Sequence, residues 1–238
     1  MELNGKTIGI IGAMNVEIEL LLEEMTKVMK PHETQIAGMH FYVGVIGQST
    51  VVLAKCGVGM VNAAVCARVM IDRFAVDALV NTGIAGSLDA SINIGDIVVA
   101  ADAVNHIMDV ANLGYELGQT PDVDTLAFPC DPALAKRVLA AADGIGVTTH
   151  TGRVASGDRF IREDAEKRRI VETFEAKCCE MEGAAIAQAC YLSDVPCAIV
   201  RAISDKADGS SSMDYPLFEA QAARQSAALV LRMLEQQG

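Results

Sequence analysis

The apolar and polar positions of this chain change period in a way that marks out its elements. "KTIGIIGAM" is a continuous apolar run stopped at Gly12, the pattern of a buried strand. In "NVEIELLLEEMTKVM" the residues Val16, Leu20, Leu21 and Met25 recur at helical spacing. "HFYVGVIGQSTVVLAKCG" predicts a hairpin turning at Gly47-Gln48-Ser49. "MVNAAVCARVMIDRF" predicts a helix, "VDALVNTGIAG" a strand running into a glycine loop, and "GDIVVAADAV" a strand entered from a turn around Asn93 to Gly95. Residues 105–131 hold turn formers and little periodicity; a connection that long is usually functional or packed on a partner. Then follow a helix with Pro132 near its first turn, a strand "TGRVASGD", a helix "REDAEKRRIVETF" and a strand "KCCEME". A helix "GAAIAQACYLSD", a strand "VPCAIVRAISD" and a long helix from Pro216 complete the chain. Strands and helices alternate without a linker, which predicts one α/β domain over 1–238 with a mixed, mostly parallel central sheet flanked by helices.

Composition narrows the function. The 238 residues are 51% apolar but only 4% aromatic, with no Trp, so Ala, Val, Ile and Gly fill the interior. The net charge of -12, without any Lys/Arg block, repels phosphate backbones and argues against nucleic-acid partners. No apolar run reaches the roughly 18 residues of a membrane span, and the first residues lack a secretory h-region. The expectation is a soluble cytoplasmic protein. The seven cysteines (56, 66, 130, 178, 179, 190 and 197) contain no C-x-x-C and lie at no zinc-like spacing from the four histidines. They read as reduced, buried thiols, and no metal is expected.

Ligands of open α/β sheets bind beyond the carboxyl ends of strands, so the residues there are the candidates. "GIIGAM" completes neither G-x-G-x-x-G nor a P-loop, so no phosphate-bearing cofactor is expected. Glu17 opens a helix, either as a solvated acid complementing the dipole or as a general base. "NTGIAG" is either a tight turn or a loop whose Gly83 and Gly86 let a ligand approach the backbone. Asp205 in "RAISD" is either a turn element or an acid able to protonate a leaving group. In "EMEG", Glu180 and Glu182 share one face of a strand and Met181 the other. A carboxylate there suits two vicinal hydroxyls, as on a ribose.

Eight stretches in one order resemble the 5'-methylthioadenosine/S-adenosylhomocysteine nucleosidases, of the purine nucleoside phosphorylase and uridine phosphorylase superfamily. They are "IGIIGAMNVE", "CGVGMVNAA", "NTGIAGSL", "GDIVVA", "GYELGQ", "SGDRFI", "EMEGAAIAQAC" and "VRAISDKAD". The resemblance implies a nucleoside phosphorylase-like fold and an N-ribosidic hydrolase of methionine salvage, acting without cofactor on a small nucleoside. It implies Glu17 as the water-activating base and Asp205 as the acid at adenine N7. It puts Met181 and Glu182 on the ribose, Phe160 and Ile161 on the adenine, Val58 and Gly86 along the ligand, and Tyr215 near the 5' substituent. Arg201 is implied to support Glu182, and Ser204 to support Asp205. Val110, Leu113 and Pro121 are implied to reach the 5' pocket of a neighbouring subunit, hence a homodimer. Two positions depart from the family's pattern: Ile84 replaces a Ser of T-G-S-A-G, and Leu113 replaces the ring of T-A-F-G-Y.

Three other readings stay open on the sequence. A phosphorolytic enzyme needs a phosphate site, and neither "GAMNVE" nor "CGVGMV" offers a basic residue. Another hydrolase of the same fold, acting on futalosine-type or AMP-type nucleosides, would be told apart by the 5' groups it accepts at the Leu113 and Tyr215 pocket. A nucleoside-binding protein without activity has no need of Glu17, Glu182 and Asp205 together.

Overall fold

A computed structural model describes the backbone of residues 1–206 and 211–236, and the side chains of 1–206 and 218–236. The first apolar run forms β1 (Thr7–Gly12), and the stripe after it forms α1 (Asn15–Val28). The buried face of α1 is Glu17, Ile18, Leu21 and Met25, with Val16 and Leu20 only half-buried. The predicted stripe is thus rotated, because a carboxylate takes part of the inner face.

Next come β2 (His32–Ile36), β3 (Met39–Ile46) and β4 (Ser49–Lys55). The pattern predicted β3 and β4 but not β2, whose side chains are mostly solvent-facing and polar. β2 joins β3 at Ala37-Gly38, both with positive φ, the backbone of a tight hairpin turn. Helix α2 (Met60–Phe74) follows, then β5 (Ala78–Ser87), β6 (Ile97–Asn105), the short β7 (Phe128–Pro129) and α3 (Pro132–Asp143). The connection before β7 carries one 3-10 turn, Ala111–Leu113. The chain ends with β8 (Thr149–Ser156), α4 (Asp164–Phe174), β9 (Cys178–Glu180), α5 (Gly183–Tyr191), β10 (Cys197–Asp205) and α6 (Ser211–Glu235).

Three predictions change. "NTGIAG" is not a loop: β5 runs through it to Ser87, paired with β10 from Leu79 to Gly86. β9 stops at Glu180, so Met181 and Glu182 leave the pleat instead of alternating within it. The last helix begins at Ser211, five residues ahead of Pro216.

The ten strands form one mixed sheet. Parallel pairing runs through β4-β1-β5-β10 and β6-β8-β9, with antiparallel joins elsewhere. Because β10 pairs with both β5 and β6, the strands β10-β6-β8-β9-β5 close into a ring. β5 carries β10 along one edge; on the other it pairs first with β1 (Ala78 to Asn81) and then with β9 (Gly86 and Ser87). Residues 82–85 lie in the fork between β1 and β9.

Both faces of the sheet are covered. Ile11, Leu79 and Ile199 pack with α2 and α5, while Ile8, Ile10, Val80 and Val200 pack with α1, α3 and α6. A third cluster joins α4 (Ile170 and Phe174) to Val104, Ala155 and Ile161. Double coverage explains why these strands read as unbroken apolar runs. Among the described residues, no helix is long and apolar enough to cross a membrane.

The turn between β3 and β4 is fixed by its contact with α6. Gly47 has φ +59°, and a Cβ there would lie 2.6 Å from the backbone carbonyl oxygen of Leu234. Gly38 has φ +77° with open space around it. Alanine at either position meets the left-handed backbone cost, but only Gly47→Ala adds a clash with backbone. We expect Gly47→Ala to destabilise the chain by about 1–3 kcal/mol more than Gly38→Ala, read from urea unfolding; equal losses would contradict this packing.

Candidate active site

The fork in the sheet leaves backbone donors without a ladder partner, and α1 fills it. Glu17 turns inward, 3% exposed. Its Oε2 accepts from the N–H groups of Ala13 (2.6 Å) and Met14 (3.0 Å), and its Oε1 from Ile84 in β5 (3.2 Å). Burial pushes its carboxyl up, opposed by the Arg201 charge and by these three N–H groups. A raised, anchored carboxylate suits a general base better than a solvated dipole partner.

Beneath it Arg201, 1% exposed, projects from β10. Its Nη2 donates in short hydrogen bonds to Glu180 and Asn81, and lies 4.0 Å from Glu182. Arg201 thus stands within ion-pair distance of Glu182, as expected, but its hydrogen bonds go to Glu180 and Asn81. Glu180 also accepts from the Ser156 hydroxyl and the N–H groups of Glu182 (3.0 Å) and Gly183 (2.8 Å). Burial raises this carboxyl, but Arg201 and these donors hold it below the ordinary value. With its lone pairs taken up, Glu180 is a structural anion.

Glu182 differs. It precedes α5, and its Oε1 accepts from the N–H of Gly59 at the start of α2 (2.9 Å). The next N–H of α2, from Met60, is taken by Asp158 (2.7 Å). Burial and the Glu180 charge push the Glu182 carboxyl up to about 7, against Arg201 and the Gly59 N–H. Farther along, the Ser204 hydroxyl lies 3.0 Å from Asp205 Oδ1 and 3.3 Å from the Ala85 carbonyl. The two glycines of "NTGIAG" act through their missing side chains. A Cβ on Gly83 would stand 2.6 Å from Glu17 Oε1 and 2.7 Å from Arg201 Nη1, and one on Gly86 would stand 2.9 Å from Asp205 Oδ2.

These groups border one open cleft, lined by Glu17, Val58, Gly86, Phe160, Glu180, Met181, Glu182, Ser204 and Asp205, with Met14 and Ile84. Ile161 lines an adjoining lobe that shares Phe160, Met181 and Asp205. Arg201 lies behind the wall. Val110, Leu113 and Pro121 lie in the long connection and line neither part; Leu113 is 68% exposed. The Tyr215 side chain falls outside the described residues. Asn81, Ser156, Gly59 and Asp158 were not anticipated. Asn81 and Ser156 are polar residues inside apolar strands, a signal present in the sequence, and Asp158 stands within "SGDRFI". All seven cysteines are buried free thiols. No group of three or more His, Cys, Asp or Glu among the described residues could hold a metal ion.

The sequence profile of the phosphorylase superfamily matches residues 7–235. A 5'-methylthioadenosine/S-adenosylhomocysteine nucleosidase of Staphylococcus carnosus is 41% identical over 229 residues, 96% of this chain and 99% of that protein. The chain belongs to the 5'-methylthioadenosine/S-adenosylhomocysteine nucleosidase family. The family's crystal structure from Neisseria meningitidis, in complex with methylthio-immucillin-A, superposes with a TM-score of 0.92 at 37% identity, covering 97% of this chain and 99% of that one. A futalosine hydrolase of Helicobacter pylori has nearly the same fold, with a TM-score of 0.91 at 31% identity, covering 97% of each chain. Fold alone therefore does not separate these two activities; relatedness in sequence over the whole chain favours the nucleosidase family. Ile84 lines the cleft, and its N–H holds Glu17.

The raised Glu182 carboxyl has a consequence for stability. Between its ordinary value of 4.5 and about 7 the folded chain holds a proton that the unfolded chain has released. Folding is therefore most favoured at the acid end of that window and weakens as pH rises through it. Glu17, raised by burial, acts in the same direction. Glu182→Gln should flatten, without abolishing, the fall in urea midpoint between about pH 5 and pH 7; an unchanged slope would show that Glu182 does not titrate there.

Proposed function

We propose that this chain hydrolyses the N-ribosidic bond of 5'-methylthioadenosine, S-adenosylhomocysteine and 5'-deoxyadenosine, releasing adenine and the 5-substituted ribose. The observation that carries this reading is that Glu17, Glu182 and Asp205, far apart in sequence, border one cleft. Glu17 takes a proton from water, which attacks C1' of the ribose. Asp205 gives a proton to adenine N7, so the base leaves neutral. Attack and departure occur on opposite faces, as in inverting glycosidases. Glu182 accepts from the ribose hydroxyls and stabilises the positive sugar, with Met181 beside it. Phe160 stacks on the adenine, and Ile161 contacts it through its backbone.

Hydrolysis is favoured over phosphorolysis by charge. Among the described residues, no Lys or Arg lines the part of the cleft around Glu17, and Arg201 is bound to Glu180 and Asn81. A buried carboxylate at the nucleophile's position repels phosphate and accepts from water. Adenine release from the three nucleosides should proceed equally with and without phosphate; formation of a ribose 1-phosphate derivative only with phosphate would overturn hydrolysis. Asp205→Asn and Glu17→Gln should each lower kcat by about 10²–10⁴-fold while ligand still binds. Aminodeoxyfutalosine in the same panel tests the sister activity; preference for it would displace the nucleosidase reading.

The same reading includes a homodimer. Val58, Val61 and Val65 on α2 and its lead-in, and Ile107, Leu113 and Leu117 in the long connection, are exposed apolar residues. Val58 also lines the cleft, so a partner seated there would border the 5' end of the ligand. Leu113→Arg should weaken self-association in sedimentation and lower kcat/KM by about tenfold or more, since centrally packed interface residues carry most of the binding energy. Unchanged mass and activity would remove Leu113 from the interface.

A further inference from the structure

Lys167 is a cation that the chemistry above leaves unused, and it is 3% exposed. Lysine is almost never buried this fully unless its ammonium is bound. It stands in the first turn of α4, which begins just after the segment carrying Phe160 and Ile161. Its Nζ donates to the carbonyl oxygen of Lys206 at 2.8 Å, across 39 residues of chain. Lys206 directly follows Asp205, and its own ammonium donates to Asn93 Oδ1 (3.1 Å). Cys179 lines both parts of the cleft. Its thiol is pushed up to about 12 by burial and the Asp205 charge, with the Lys167 charge opposing them, so both charges stand near one wall.

We propose that Lys167 is a positioning residue for Asp205, its ammonium fixing the Lys206 carbonyl so that the end of β10 holds Asp205 against the purine that Phe160 and Ile161 grip. This rests on reading Asp205 as the acid. The geometry gives a reason for the link. Asp205 is the last residue of its strand, and the register of β10 against β5 shifts between Ile203 and Asp205, so the ladder alone does not fix it. α4 is packed through Ile170 and Phe174 and starts just after the segment carrying Phe160 and Ile161. A bond from α4 to Lys206 sets the distance between stack and acid.

The test is Lys167→Met, which keeps the stem and removes the donor. kcat for adenine release should fall at least about tenfold with KM within about threefold, and the same change in an Asp205→Asn background should cost less than about twofold. A kcat within twofold of wild type, or equal losses in both backgrounds, would overturn the proposal. Should Lys167→Met not fold, Lys167→Gln is judged by the same comparison per folded molecule. Adenine binding by calorimetry reads the positioning without turnover: Lys167→Met should weaken it by about the same factor as Asp205→Asn, and unchanged affinity would count against the proposal. A wild-type chain that binds adenine but releases none sinks the hydrolase reading and leaves the positioning test intact.

Discussion

A guanidinium buried to 1% exposure, with carboxylates around it, is the constraint on which this site is built. Arg201 cannot lose its proton; burial works against its charge, and Glu180, Glu182 and Glu17 together hold it on. One cation serves three anions, so the three cannot be equivalent. Glu180, in direct contact and fully hydrogen-bonded, keeps its charge. Glu182, 4.0 Å away and facing both Glu180 and the cleft, is pushed toward neutrality. Glu17 is pushed the same way and is moderated by backbone donors. Burial raises Glu17 and Glu182, while direct contact with the guanidinium and surrounding donors holds Glu180 as a structural anion. Buried ion pairs cost desolvation and are a poor route to stability, so such a cluster is better explained by chemistry.

The cluster depends in turn on how the sheet branches. β5 exchanges β1 for β9 along one edge, and the exchange frees the Ile84 N–H for Glu17. It also opens a gap into which Arg201, paired across the ladder with Gly83, extends. Glycine at 83 and 86 is a matter of room, because a methyl group at either place would strike a carboxylate oxygen. Each of these cleft-lining carboxylates is held at an element's end: Glu17 at the start of α1, Glu182 before α5, and Asp205 closing β10. Strand ends that meet at a fork bring side chains together while keeping their backbones anchored on the core side.

Much of the fold was legible because its signals are local. α2, α3 and α4, the hairpin of β3 and β4, and the strands β1, β6, β8 and β10 follow from apolar period and turn chemistry. β2 was missed because an edge strand with solvent-facing polar residues lacks alternation. "NTGIAG" was misread because its glycines mimic a loop, while the reason for them, carboxylates pressing from another strand and a helix, is nonlocal. The hydrogen bonds of Arg201 to Glu180 and Asn81, beside its longer ion pair with Glu182, were missed because they join residues on three different strands and in the lead-in to α5.

The sequence by itself determined most of the strands and helices, and its motifs carried the resemblance to the family and, through it, the candidate acids. Those are carried by residue type and spacing along the chain. Only the tertiary structure decided which carboxylate is saturated and which remains available, since that rests on distances to one buried cation and on donors from elements far apart in sequence. It also gave Lys167 its task, because a helical lysine in "EDAEKRRIV" reads as one more solvated charge until the fold carries it inward to Lys206.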